Sequence, residues 1–503
     1  MKGEIKMKKY IMVIDEGTTG TRALIFNKQF EIVSQSYEEF TQYTPSEDKV
    51  EHDAMEIYEK SIKMCKIAME KADVKAEEIS GIGITNQRAT TVIWDKETGE
   101  PLCKAIVWQD NRTAARCAEL NETDWGPKCK KATGWTIAPV YSSMMIEWLM
   151  QNNEEVNRKL KDGSALFGTI DTWLVWKLTG GKKHAISYSN ASVTGSYDLN
   201  KCEWYTEFLD YLGIPVSIYP EVVDDSGDYG ETYPELFGGP IPITACIADQ
   251  HAALWAQGCR KPGMAQLTNG TGSFLDVNIG ENPFVSDGGI NTVIAWKIGD
   301  TIHYAMEGMV AVTGSAVQWL RDGLKIIKSS AEIEEKAGAV EDTNGVYFVT
   351  ALAGLGAPYW DPFARGMFIG ITRGTTDEHI CRATLEAIAF SIRDIVDSIG
   401  EDTGTIIKDI SIDGGASKNN ILAQMFADFM NVNIVRPKSV EATSLGAAQL
   451  AGLYTGFWTM EDFDSAAEYD GEFTCQMPEE ERERIYAIYK DAVKRCSGWM
   501  IGK

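Results

Sequence analysis

Basic residues are scarce in this sequence, and their scarcity disfavours one class of ligand. The 503-residue chain has 48 lysines and arginines against 73 aspartates and glutamates, which gives a net charge of −25. Nucleic acids bind to clustered positive charge, so a chain this acidic is a poor DNA or RNA binder. Any phosphate-bearing ligand is also repelled at long range, so its site would need local hydrogen-bond donors and a divalent cation.

Long apolar runs and paired cysteines are also missing. No run of about 18 apolar residues occurs, so we expect no membrane span. Residues 1–10 are basic, but no apolar stretch of signal-peptide length follows them. None of the ten cysteines forms a C-x-x-C pair, and their spacing fits neither a zinc ribbon nor a small disulfide scaffold. We therefore expect reduced thiols in a cytoplasmic protein.

Several common catalytic motifs are absent, which disfavours three enzyme classes. The sequence has no G-x-x-x-x-G-K-[ST], no G-x-G-x-x-G after a strand, no H-E-x-x-H and no protein-kinase catalytic loop. A P-loop ATPase, a Rossmann dehydrogenase and a zinc protease are therefore disfavoured. What remains is an ordinary globular composition, 44% hydrophobic and 24% charged, in a chain long enough for more than one domain.

The first part of the chain alternates strands and helices. Apolar runs over 10–15 and 23–26 flank a Gly/Thr-rich turn and predict a β-hairpin. Helical spacing of apolar residues predicts a helix over 54–71, and another strand follows over 81–85. This alternation predicts an α/β architecture with helices covering a sheet.

Near residue 250 the same pattern starts again. A strand over 264–268, a Gly/Thr turn and a return strand over 274–277 repeat the first hairpin. We therefore predict two related α/β halves with a cleft between them. The repeat is short and such turns are common, so the pattern alone does not decide between duplication and chance.

Three glycine-rich turns follow short strands, at 15–22, 269–273 and 413–417. Small residues there let backbone N–H groups approach an anion closely. The third turn also leads into a predicted helix over 420–430, whose positive end favours negative charge. Each turn taken alone could equally serve only to reverse the chain.

A few side chains are candidates for chemistry. Asp249 follows an apolar run and could accept a proton from a hydroxyl nucleophile, or it could simply cap a helix; His251 beside it is interpreted as structural. Arg88 follows the strand over 81–85, where a cleft residue of an open α/β sheet would lie, or it is a surface arginine. Trp108 could stack on a substrate or belong to the core.

The order of these segments resembles one known family. The turn DEGTTGTR at 15–22 resembles the phosphate-binding turn of the FGGY carbohydrate kinases, and GMFIGI at 366–371 with the following 379–386 resembles a signature of that family. The resemblance covers about 10–499 and is greatest to the glycerol kinase branch. The stretches that carry this match are 50–53, 83–88, 167–174 and 354–362.

The resemblance implies a fold and an activity. The implied fold is α/β, with two actin-like (ribonuclease H-like) domains and an active-site cleft between them. We expect a substrate and phosphate domain at 1–253 and a nucleotide domain at 254–503. The implied activity is ATP-dependent transfer of the γ-phosphate to a terminal hydroxyl of glycerol or of a related or larger polyol or sugar. The family also implies a homo-oligomer.

The resemblance also assigns residues, position by position. Asp249 matches the general base and Asp15 the acid that helps to hold Mg²⁺. The residues that match substrate contacts are Arg88, Trp108, Asp249, Gln250 and Phe274. The residues that match contacts to the nucleotide and its phosphates are Thr18, Thr19, Arg22, Gly270, Thr271, Gly314, Gln318, Gly415 and Asn419.

Two positions depart from the glycerol kinase pattern. Ala89 stands where that branch has a glutamate, and Val140 where it has a tyrosine. Each change removes a hydrogen-bonding group, worth about 0.5–1.5 kcal/mol, or about 1.5–3 kcal/mol where the partner is charged. We therefore expect a larger pocket and a substrate with an extra carbon or more, with Tyr141 compensating in part.

Two other interpretations of the sequence stay open at this stage. An acid/base hydrolase using Asp15 and Asp249 explains the carboxylates but leaves three phosphate-type turns unused. A non-catalytic actin-like module that senses a sugar or nucleotide would keep the fold without the chemistry, although the presence of both carboxylates disfavours it.

Overall fold

The computed structural model describes residues 8–286, 289–438, 441–466 and 468–502. The outer limits of the two predicted domains, residues 1 and 503, lie outside these ranges, as do residues 1–7 of the basic N-terminal segment.

Strands and helices alternate along the chain, as an α/β fold requires. The strands are β1 (Tyr10–Glu16), β2 (Gly20–Asn27), β3 (Ile32–Glu39), β4 (Tyr43–Ser46), β5 (Lys49–His52), β6 (Ile79–Asn86), β7 (Val92–Asp95), β8 (Ala105–Ile106), β9 (Ala165–Gly168), β10 (Ala185–Ser187), β11 (Tyr197–Asp198), β12 (Glu203–Trp204), β13 (Glu221–Val223), β14 (Ile243–Ala248), β15 (Met264–Asn269), β16 (Ser273–Gly280), β17 (Asn291–Ile298), β18 (Thr301–Val310), β19 (Tyr347–Val349), β20 (Met367–Ile369), β21 (Asp409–Asp413), β22 (Asn433–Pro437) and β23 (Tyr469–Phe473). The helices are α1 (Ala54–Lys71), α2 (Ala114–Asn121), α3 (Trp125–Thr133), α4 (Ser142–Asn152), α5 (Glu154–Lys161), α6 (Ile170–Leu178), α7 (Tyr188–Ser192), α8 (Thr206–Leu212), α9 (Asp249–Ala256), α10 (Gly314–Asp322), α11 (Glu332–Gly338), α12 (Asp377–Thr403), α13 (Asn420–Met430), α14 (Ala442–Tyr454), α15 (Met460–Ser465) and α16 (Glu479–Cys496).

The N-terminal half is built on a sheet with the strand order β14-β6-β1-β2-β3. The hairpin of β1 and β2 is antiparallel, and β6 lies parallel to β1 after the crossover through α1. Helix α1 begins where predicted because the Asp53 carboxylate accepts the N–H groups of Met55 and Glu56. Its apolar positions, among them Ile57 and Cys65, are buried in the core of this half.

The C-terminal half repeats this plan. Its sheet has the order β17-β18-β16-β15-β21-β22-β23, in which β15 pairs antiparallel with β16 and parallel with β21. Helix α12 makes the crossover that α1 makes in the first half. The predicted repeat near residue 250 is therefore present as a second copy of the same strand arrangement.

The halves meet at an apolar base formed by two helices. Helix α14 follows the C-terminal strand β22 but packs on β1, β6 and β14 of the other half and on α9. The contact is close, because a Cβ on Gly446 would lie 2.0 Å from the carbonyl oxygen of Ala252. The predicted boundary at 253/254 falls inside α9 and stays a prediction.

The last long helix, α16, docks on the C-terminal core. Tyr489, Ala492 and Val493 of α16 are buried there. Ile488 of the same helix is 42% exposed. Among the described residues, no helix is long and apolar enough to cross a membrane.

Candidate active site

Two predicted site residues, Arg88 and Asp249, leave the sheet of the N-terminal half at the same edge. Strands β1, β6 and β14 are parallel neighbours, with Glu16 and Ala248 both in register with Asn86. Asp249 directly follows β14, and Arg88 comes two residues after β6. Carboxyl ends of parallel strands share one edge, where ligands of α/β sheets bind. The fully buried strand β14 thus delivers Asp249, the first residue of α9, to a cleft position.

Arg88 contacts carboxylates of both halves. Its Nε lies 3.5 Å from Oδ1 of Asp249, and its Nη1 lies 2.5 Å from Oε2 of Glu307 on β18. The side chain of Arg88 is 15% exposed and that of Asp249 32%, so the Asp249 carboxylate is open to a small molecule while the guanidinium is largely enclosed. The predicted base and the predicted substrate arginine are therefore neighbours.

The environment of Asp249 suits a general base. Burial raises the pKa of this carboxyl to about 6, against the lowering effect of Arg88 and of the Gln250 N–H group. The negative charges of Asp15 and Glu307 raise it further. A base works best when its pKa lies near the operating pH, and a value close to 6 leaves it ionised at neutral pH.

The first glycine-rich turn joins β1 to β2. The N–H group of Gly17 donates to the carbonyl of Gly20 over 3.1 Å, which closes the turn. Trp108, whose side chain is 39% exposed, donates its indole N–H to Oγ1 of Thr18 over 3.0 Å. Thr19 is exposed and lines a cavity of about 700 Å³ together with residues of this turn and of β2 and β3.

Asp15 and Arg22 line the same cavity and face each other across the hairpin. Nη2 of Arg22 lies 3.2 Å from Oδ2 of Asp15, and its Nη1 lies 2.5 Å from Oε2 of Glu441. The Ser444 hydroxyl of α14 also donates to Oδ2 of Asp15. Burial raises the pKa of Asp15, although Arg22 and Ser444 oppose the shift. Both predicted residues are thus tied to the start of α14 in the other half.

A second cavity of about 380 Å³ lies in the C-terminal half, beside the second and third glycine-rich turns. Its lining includes most of the predicted nucleotide residues of this half. These are Gly270, Gly314, Gln318, Gly415 and Asn419.

Backbone contacts shape this second cavity. The N–H of Gly314 donates to the carbonyl of Gly270, and a Cβ on Gly314 would lie 2.2 Å from that oxygen, so only glycine fits. The carbonyl of Thr271 accepts the N–H of Ser315 over 3.0 Å. Asn419 caps α13 by accepting the N–H of Leu422 over 2.9 Å.

Two predicted substrate residues flank the Arg88 and Asp249 pair. Gln250 donates its backbone N–H to Oδ1 of Asp249 over 2.8 Å, and its side-chain oxygen is buried without a hydrogen-bond partner. Phe274 is half-buried on β16 and shares a strand face with Asp276, whose cross-strand neighbour is Glu307. Phe274 therefore lies on the same face of the C-terminal sheet as Glu307, the residue that contacts Arg88.

Family models match both halves of the chain. The model of the N-terminal domain of the FGGY family of carbohydrate kinases matches residues 10–256, and that of the C-terminal domain matches 265–454. The chain belongs to the FGGY family of carbohydrate kinases. The resemblance that the sequence motifs indicate is thereby confirmed, and the protein is an enzyme of the carbohydrate kinase class.

Full-length relatives place this FGGY kinase beside glycerol kinases. It is 48% identical to glycerol kinase 2 of Thermotoga maritima over 492 residues, which cover 98% of this chain and 99% of that protein. It is 47% identical to glycerol kinase of Caldanaerobacter subterraneus over 494 residues, with the same coverage.

Solved structures confirm the predicted two-domain fold of this kinase. A Plasmodium falciparum glycerol kinase with ADP superposes with a TM-score of 0.93 at 35% identity, over 97% of this chain and 98% of that chain. A gluconate kinase from Lactobacillus acidophilus superposes with a TM-score of 0.87 at 21% identity, over the same shares of the two chains, which supports the fold alone.

Tyr141 does not take over the role expected of it. Its hydroxyl donates to the carbonyl of Trp135 over 2.7 Å and contacts Thr133, and the whole side chain is buried in a separate core. The expectation of partial compensation by Tyr141 is therefore wrong. Ala89 is also fully buried, so the hydrogen-bonding groups missing at 89 and 140 are not restored by this neighbour.

Sequence reasoning missed the acids that hold the two predicted arginines. Glu307 binds Arg88 and Glu441 binds Arg22, each from the opposite half of the chain. One signal was available, because Asp276 and Glu307 are the single acids of two strands rich in apolar residues, and a buried acid needs a partner or a function. Which arginine they would meet depends on how the halves pack, and the local sequence does not encode that.

Proposed function

We propose that this FGGY kinase uses ATP to phosphorylate a terminal hydroxyl of glycerol or of a related, larger polyol, with Asp249 as the general base. The observation that carries the proposal is the pairing of Asp249 with Arg88 at the sheet edge that also presents Asp15. The family and the full-length glycerol kinase relatives support the same class of reaction. They do not favour a non-catalytic sensing module.

The proposed chemistry begins at the Asp249 carboxylate. It accepts the proton of the substrate hydroxyl as the hydroxyl oxygen forms a bond to the γ-phosphorus of ATP. The bond from that phosphorus to the bridging oxygen breaks, and ADP leaves with the electron pair. Such transfers pass through a loose transition state, so the chain acts mainly by positioning and charge stabilisation. A base of this kind contributes about 10²–10⁴-fold.

The polyol is held, in this proposal, by side chains around Asp249. Arg88 and Gln250 are hydrogen-bond donors for hydroxyl groups. Trp108 and Phe274 offer apolar faces to the carbon chain. Because the guanidinium is already fixed by Glu307, it meets the substrate without much loss of side-chain entropy.

The nucleotide is held, in this proposal, by the glycine-rich turns. Thr18, Thr19 and Arg22 contact phosphates from one half, and Gly270 and Thr271 from the other. The cavity of about 380 Å³ takes the rest of the nucleotide against the residues that line it from α10 and α13. The residues proposed for that part are Gly314, Gln318, Gly415 and Asn419.

Asp15 is the residue proposed to help hold Mg²⁺. Its carboxylate is a hard oxygen ligand, and the ion pair with Arg22 and the hydrogen bond from Ser444 both engage Oδ2. Mg²⁺ typically binds one or two carboxylates together with substrate phosphates and water, so the residue fits the ion. When bound, Mg²⁺ supplies positive charge that stabilises the phosphates in this acidic protein.

Three further expectations are kept as part of the proposal. The domains extend over 1–253 and 254–503, and the chain forms a homo-oligomer, on the family resemblance alone. The location is cytoplasmic, which the ten free thiols support.

The experiment that tests the proposal is a panel of acceptors. Glycerol, erythritol, pentitols and ketopentoses are each assayed with ATP and Mg²⁺, and ADP release gives kcat/KM. A higher kcat/KM for a larger polyol supports the enlarged pocket. Efficient turnover of glycerol and no other acceptor rejects that part, and no turnover of any acceptor rejects the kinase function.

A further inference from the structure

Three side chains of types that commonly bind metal ions lie close together next to Arg88. They are His251 on α9, Asp276 on β16 and Glu307 on β18, and one ligand atom of each lies within 4.8 Å of the others. His251 and Asp276 are fully buried, and Glu307 is 7% exposed. The cluster therefore joins the helix that begins with Asp249 to the sheet of the C-terminal half.

The polar groups of this cluster are poorly satisfied. Among the described residues, neither ring nitrogen of His251 has a hydrogen-bond partner, and the Asp276 carboxyl is hydrogen-bonded only to another acid, Glu307. An unpaired buried polar group is destabilising by about 1–3 kcal/mol, and more when it is charged. Because one ligand atom of each of the three residues lies within 4.8 Å of the others, the unsatisfied His251 ring indicates that a ligand belongs between them.

Charge leads to the same conclusion. Asp276 and Glu307 are directly opposed on antiparallel strands, where like charges repel. The Arg88 guanidinium is the positive group that contacts Glu307, and it also contacts Asp249. Three buried or half-buried acids thus share one guanidinium, and a buried charge without a partner is strongly unfavourable.

We propose that His251, Asp276 and Glu307 bind a divalent cation of the zinc or manganese class. One imidazole nitrogen and two carboxylate oxygens are a common donor set for such ions, whereas Mg²⁺ and Ca²⁺ prefer oxygen alone. Glu307 can serve both partners, since its contact to Arg88 uses only Oε2. The site is distinct from the Mg²⁺ proposed at Asp15 and does not depend on which polyol is phosphorylated.

The bound ion would act as a positioning element. It would fix α9 to β16 and β18, and so hold Asp249 and Arg88 in their mutual geometry. Because the cluster is fully enclosed, the ion would load before or during closure of the two halves, and brief exposure to a chelator would remove it slowly.

The test measures metal content and binding directly. The full-length enzyme is purified without chelators and its metals are quantified, and a prolonged chelator treatment then yields metal-free protein for titration with Zn²⁺, Mn²⁺ and Co²⁺. We expect one equivalent per chain and visible Co²⁺ absorption typical of nitrogen and oxygen ligands. Loss of a residue that only hydrogen-bonds to a metal ligand typically weakens metal binding by about 10–100-fold. Because Asp276→Asn and His251→Ala each remove a proposed ligand, each should weaken Zn²⁺ binding by more than that.

The matched control is His303→Ala, which removes a histidine of the C-terminal half that hydrogen-bonds to Asn278 and is not part of the cluster. It should bind Zn²⁺ like the wild type. Wild-type protein that binds none of these ions at micromolar concentration overturns the proposal, as does Asp276→Asn with unchanged affinity. Should His251→Ala fail to fold, the wild-type and Asp276→Asn titrations decide alone, and turnover with Mg²⁺-ATP tests the kinase function separately.

Discussion

Arg88 lies between two acids from different halves of the chain, with its Nε 3.5 Å from Oδ1 of Asp249 and its Nη1 2.5 Å from Oε2 of Glu307. The proposed base and the arginine beside it are therefore held by a contact that exists only when the two halves are together. Any motion that separates the halves breaks this arrangement, which links closure of the cleft to assembly of the site.

Replacing the proposed base should stop turnover and spare nucleotide binding. We expect Asp249→Asn to lower kcat by about 10²–10⁴-fold, because the amide keeps the shape of the side chain but accepts no proton. ADP release measures turnover, and calorimetric titration with ADP measures binding. A kcat loss below about tenfold would contradict the base role, whereas lost ADP binding would indicate a structural defect.

Restoring the missing hydrogen-bonding groups should shift substrate preference towards glycerol. We expect Ala89→Glu combined with Val140→Tyr to raise kcat/KM for glycerol relative to larger polyols. Each new hydrogen bond is worth about 0.5–1.5 kcal/mol, or up to about tenfold. The measurement is the ratio of kcat/KM values for glycerol and erythritol.

The single variants serve as controls for that prediction. Each should move the ratio part of the way, because the two positions lie in different segments of the chain. An unchanged ratio in the double variant, with normal thermal stability, would show that these positions do not determine acceptor size.

Stability should depend on pH through a buried acid in the C-terminal half. Burial raises the pKa of Glu386 on α12 to about 7, against the lowering effect of Arg382, whereas the unfolded value is 4.5. The folded state thus binds this proton more tightly, so the contribution to stability is complete below pH 4.5 and is lost as pH rises through about 7. We expect Glu386→Gln to gain stability relative to wild type from about pH 5 to about pH 8 in urea titrations. If the unfolding free energies of wild type and Glu386→Gln change with pH in parallel, the raised pKa of Glu386 is contradicted.

Much of the fold could be predicted because its signals are local. The first hairpin, the helix over 54–71 and the strand after it follow from apolar spacing, and the repeat near residue 250 follows from the same signals. The sheet edge at which Arg88 and Asp249 meet could also be predicted, because each residue follows a strand and the carboxyl ends of parallel strands share one edge. The partners Glu307 and Glu441 could not be predicted, because they lie 219 and 419 residues from the arginines they bind. The expectation for Tyr141 was wrong for a related reason, since the burial of its side chain in a core depends on tertiary packing.

Filling the second cavity should weaken nucleotide binding without unfolding the protein. Gly415 lines this cavity, and a Cβ added there would meet nothing within 4 Å, so the backbone tolerates a side chain in the free enzyme. We therefore expect Gly415→Val to raise KM for ATP while leaving KM for the polyol and the melting temperature nearly unchanged. Gly239→Val is the matched control, because its Cβ would make only ordinary contact with Ala76 and it does not line the cavity. Equal ATP KM values in the two variants would mean that the nucleotide binds elsewhere, since a side chain that projects into an occupied site must displace the ligand or shift it.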